Sequence, residues 1–68
     1  MTRIAMIKRL DNDSLDLIQT NNPTINISRI VDMWQREKVH IIGRIPPVKY
    51  KWAEASNLVD ALIESRDF

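Results

Sequence analysis

A chain of 68 residues with ten Lys and Arg against nine Asp and Glu makes one domain, 1–68, whose core is marginal for its size. The absence of cysteine excludes disulfides and thiolate metal centres, and a single histidine, His40, leaves no basis for expecting a metal or cofactor. No apolar run approaches the roughly 20 residues of a bilayer span, and "MTRIAMIKRL" is too short and too charged for a signal peptide. The expectation is a cytoplasmic protein with no membrane partner.

Turn residues divide the chain into four blocks. In "TRIAMIKRL" (2–10), Ile4, Ile7 and Leu10 fall at near-helical spacing, although so short an Ile-rich window also suits a strand. "SLDLIQ" (14–19) reads as a short helix that Asp13 or Ser14 could cap. "TNNP" breaks the chain, because the residue before proline avoids helical geometry. In "NISRIVDMWQREK" (26–38), Asn26 or Thr24 is a suitable N-cap. Ile27, Ile30, Val31 and Trp34 then share one face, with Arg29, Asp32 and Arg36 opposite.

The fourth block opens at Pro47, a favoured first helical residue. From it Val48, Trp52, Ala55, Val59, Leu62 and Ile63 form a stripe that predicts one long amphipathic helix over 47–65. Between the long helices, "VHIIGRI" contains the only glycine, Gly43, which accepts positive φ without steric cost. Pro46 and Pro47 follow it, so this segment is expected to turn the chain sharply while its isoleucines anchor the turn in the core. The fold class expected is therefore all-α, a small four-helix domain with an irregular connector at 39–46. An α+β fold with residues 2–10 and 39–45 paired as strands is the alternative.

The near-neutral total conceals an uneven distribution. Residues 29–51 hold Arg29, Arg36, Lys38, Arg44, Lys49 and Lys51 against Asp32 and Glu37, a balance of +4. Residues 52–68 hold Glu54, Asp60, Glu64 and Asp67 against Arg66, a balance of −3. Nothing provides the context of a catalytic nucleophile, and one glycine makes no phosphate loop, so no enzyme is expected. The Asp11, Asp13, Asp16 group lacks the central glycine and distal Glu of a calcium loop and reads as a turn.

The polar face of helix 26–38 admits two readings. Arg29, Asp32 and Arg36 form an ion ladder that water would solvate. They would equally suit a helix facing DNA, with Asn26, Ser28, Arg29, Gln35 and Arg36 toward bases or phosphate and Lys38, Arg44 and Lys49 on the backbone. A tryptophan closing a helix, then "GRIPP", then "VKYKWAEASNLVDAL" resembles the small Cro-type helix-turn-helix regulators of bacteriophages. The resemblance covers about residues 30–60 and rests on Trp34, Gly43, Ile45, Pro46, Pro47 and Ala55. It implies a transcription regulator that binds double-stranded DNA as a homodimer, with Trp52, Val59, Leu62 and Ile63 making dimer or partner contacts. The competing expectation is a non-enzymatic module or inhibitor that docks on a host protein through the 47–65 helix.

Overall fold

The computed structural model describes residues 2–68 as a three-stranded antiparallel sheet with a helix on each face. Strands β1 (Arg3–Arg9) and β2 (Leu15–Thr20) form a hairpin. Helix α1 (Ile27–Ile42) then crosses the sheet to β3 (Val48–Trp52), and a short helix α2 (Leu58–Glu64) ends in a single 3-10 turn, Ser65–Asp67. The strand order is β2-β1-β3, so the first strand is the centre of the sheet. No described helix is long and apolar enough to cross a membrane.

The all-α expectation is overturned. Residues 2–10 pair as a strand, with Ala5 opposite both Ile18 and Trp52, and residues 14–19 supply its hairpin partner. The spacing misleads because β1 is buried on both sides: Ile4 and Met6 face α2, Ala5 and Ile7 face α1, and none is exposed. A central strand covered on both faces shows no polar alternation. The α+β alternative holds for 2–10 and fails for 39–45, because α1 continues through Ile42.

The predicted 47–65 helix is likewise replaced, by β3, a loop and α2. Val48 and Trp52, four apart, share a face in a strand as well as in a helix. The free edge of β1 decides between them, because it offers "VKYKW" a ladder that a helix would leave empty. Pro46 and Pro47 lead into that strand rather than open a helix. A new N-cap then starts α2, where the Asn57 side chain accepts from the Asp60 N–H at 2.9 Å.

Helix 26–38 is present and longer than expected. Asn26 caps it, accepting from the Ser28 N–H, and Ile30, Val31 and Trp34 are buried against Ala5 and Ile7. Its end explains the single glycine: Gly43 sits at φ 75° and its N–H donates to the Val39 carbonyl at 2.9 Å. An added Cβ would meet nothing within 4 Å, so the requirement is the backbone conformation and not space. Two of the isoleucines around it do not anchor the turn, since Ile41 is 75% and Ile45 68% exposed, and only Ile42 is half-buried.

Three polar contacts fix the layers. The Trp34 indole N–H donates to Asp16 at 2.6 Å, tying α1 to β2. Glu64 accepts from the Glu54 and Ala55 N–H groups at 2.9 and 3.1 Å, tying α2 to the end of β3. Asp11 accepts from Arg9 at 2.7 Å and from Arg44 at 3.1 Å, joining the hairpin loop to the segment after α1.

The Arg9 hydrogen bond, with lesser help from the nearby cations, holds the Asp11 carboxyl below its ordinary pKa. A depressed carboxyl stabilises the fold above its unfolded pKa, and that contribution is lost as pH falls through the folded value. Asp11→Asn should therefore lower the melting temperature at neutral pH and leave a smaller difference from wild type below about pH 4. Thermal melts at both pH values check this, and an equal difference at both would remove the ion pair from the account.

Candidate functional site

The residues expected to face DNA do not form one surface. Asn26 and Ser28 are engaged with each other at the N-cap, at 3.2 Å from the backbone and 3.1 Å from the hydroxyl. Gln35 donates to the Pro46 carbonyl at 3.4 Å. Lys38 pairs with Asp16 at 3.7 Å, Arg44 with Asp11, and Arg36 with Asp32 at 3.1 Å. Of the expected cations on α1 and the turn after it, only Arg29, on the exposed side of α1, makes no ion pair among the described residues. Among the described residues no helix precedes α1 to make the turn of a helix-turn-helix, since β2 occupies that place.

Lys49 lies elsewhere. Along β1 and β3, Lys8 stands opposite Lys49, and Lys51 follows two residues on, so these three share the sheet face turned away from α1. They converge on Phe68. The Lys8 ammonium donates to its main-chain oxygen at 3.0 Å, and those of Lys49 and Lys51 lie 4.8 and 5.5 Å from its ring centroid. Neither Lys49 nor Lys51 pairs with a side-chain carboxylate among the described residues. Lys49 and Lys51 are exposed and Lys8 is half-buried.

Lys8 and Phe68 were not expected in a site, whereas Lys51 belongs to the basic segment expected to grip phosphate. The alternation in "VKYKW" carries the signal for the pair on β3, because a period of two puts Lys49 and Lys51 on one side and Val48, Tyr50 and Trp52 on the other. Lys8 comes from a remote strand and only the ladder brings it alongside. Chemically, adjacent ammonium groups with no acid partner, held against an aromatic ring, suit a polyanion.

The residues expected at a dimer or partner contact also divide. Trp52 belongs to β3 and is half-buried beneath the Arg3 guanidinium, which stacks 4.0 Å from its ring centroid. Val59, Leu62 and Ile63 lie on α2 with Leu58, and all four are exposed. Only Ala61 of that helix is buried. These solvent-facing aliphatic side chains concentrate on one short helix as an exposed apolar patch.

Fold and surface together define a three-layer α+β module with a cationic strand face and an apolar C-terminal helix. Comparison with family models, with curated proteins and with solved structures finds no match to this chain.

Proposed function

We propose that the protein is a small, non-enzymatic DNA-binding regulator acting in the cytoplasm, of the kind bacteriophages and mobile elements encode. The row formed by Lys8, Lys49 and Lys51, in which Lys49 and Lys51 pair with no side-chain carboxylate among the described residues, carries this reading. Lys49 and Lys51 neutralise backbone phosphate, while Phe68 and Lys8 hold their side chains in place. Most other cations are paired within the chain, so the gripping surface is β3 and not α1.

Mobility shifts with duplex fragments at about 50 and 200 mM salt test it. Two phosphate contacts per copy predict an affinity about tenfold weaker at the higher salt. Lys49→Glu/Lys51→Glu should abolish the shift and leave the circular dichroism unchanged. No shift at micromolar protein in low salt would exclude the reading.

The exposed aliphatic face of α2 favours a second reading, a module or inhibitor that binds another protein. Its mark is a complex that is insensitive to salt and lost on Val59→Glu/Leu62→Glu.

A further inference from the structure

The two edges of the sheet are built differently. The outer edge of β3 is guarded: Pro46 and Pro47 precede it, and Lys49 and Lys51 stand along it. Proline and lysine are standard devices against edge-to-edge pairing. The outer edge of β2, "LDLIQT", has neither. Its one charge, Asp16, is occupied by Trp34 and Lys38 of the same chain.

The ladder phase shows which groups this edge offers. The Arg9 N–H donates to the Ser14 carbonyl at 2.9 Å, while Leu10 and Ala53 complete the contacts on the β3 side. Alternation along an antiparallel pair then turns the N–H and C=O of Leu15, Leu17 and Gln19 outward. Among the described residues, no hydrogen bond outside the sheet reaches these groups.

Apolar surface flanks the edge on both sides. On one face, a groove of about 310 Å³ between β2 and α1 is lined by Ile18, Ile25, Ile30 and Met33. On the other, α2 packs over β2 and β1. Glu64 leaves one flank of that helix toward the end of β3, so Leu58 and Leu62 leave the opposite flank, toward the β2 side, with Val59 next to them on the outer face.

We infer that β2 pairs antiparallel with β2 of a second copy, making a six-stranded sheet across a two-fold axis with the two α2 helices packed beside it. Pairing about Leu17 sets it opposite its own counterpart and Leu15 opposite Gln19, so every outward group finds a partner. The surface is self-complementary, as an isologous contact requires.

The area suffices. Leu58, Val59 and Leu62 are 46–70% exposed. At about 100 Å² each they supply on the order of 300 Å², and a six-residue strand edge with the groove beside it brings this to on the order of 500 Å² per partner, the lower range of specific interfaces. This inference shares the α2 face with the second reading above and is independent of the DNA reading.

Sedimentation of the purified chain without DNA, from micromolar to millimolar concentration, tests it. Wild type should sediment as a dimer whose Leu17 and Gln19 amides exchange slowly. Gln19→Pro removes only an outward N–H, and Val59→Glu/Leu62→Glu only exposed side chains; both should give folded monomers. A monomeric wild type at millimolar concentration overturns the inference, including when it binds a foreign protein. So does a dimer that survives Val59→Glu/Leu62→Glu, or one whose Leu17 and Gln19 amides exchange freely. If Gln19→Pro unfolds, the amide exchange and the α2 variant decide.

Discussion

Trp34→Ala should unfold most of the protein at room temperature. Trp34 is 6% exposed and packs with Ile30 and Val31 against Ala5 and Ile7 on the central strand. Truncating a buried tryptophan costs about 3–5 kcal/mol. A chain this short has on the order of 3–10 kcal/mol of total stability, so the loss is comparable with the whole. Trp34→Phe separates packing from hydrogen bonding. It keeps an aromatic ring in the core but loses part of the indole's volume together with the donation to Asp16, whose carboxylate retains Lys38. That change should cost about 2 kcal/mol, about 1 for the hydrogen bond and about 1 for the lost volume. Urea unfolding followed by circular dichroism reads both. Equal losses would mean that the indole N–H, and not the ring volume, holds α1 on the sheet.

Two isoleucines that look alike in the sequence should behave in opposite ways. Ile7 on the central strand is completely buried, so Ile7→Ala should lower stability by about 2–5 kcal/mol. Ile41, near the end of α1, is 75% exposed, and Ile41→Ala should stay within about 0.5 kcal/mol of wild type. Denaturant midpoints compared in one buffer provide the check. A large loss at Ile41 in the isolated protein would place it in the core that the sequence alone suggests. It would also contradict the end of α1 at Ile42. The contrast therefore tests the placement of α1's last turn as well as the composition of the core.

The candidate surfaces were legible unevenly. Lys49 was within reach of sequence reasoning because it lies in a dense basic segment, and Val59, Leu62 and Ile63 because they are aliphatic residues clustered near an acidic tail. The grouping was not. Lys8 meets Lys49 only through strand pairing across some forty residues, and Phe68 reaches them only after α2 has folded back under the sheet. Conversely, Gln35, Lys38 and Arg44 are rich in donors on paper but are occupied by Pro46, Asp16 and Asp11. Which partners consume a polar group is a property of the fold, because each lies on a different element.

Local chemistry alone determined the start and the buried face of helix α1. An asparagine cap and apolar residues at helical spacing act within one or two turns, and both are where the sequence implies, whereas the last turn, 39–42, lies where a connector was expected. Only tertiary structure decided the sheet. Ile4-Ala5-Met6-Ile7 and the Val48–Trp52 spacing are compatible with helix or strand, and neither segment is long enough for propensity to choose. The choice is made by pairing, because a strand's backbone groups are satisfied only by neighbours remote in sequence. With β2 on one side and β3 on the other, β1 has both edges filled and both faces covered. That closure turns a chain with helical spacing at both ends into an α+β fold.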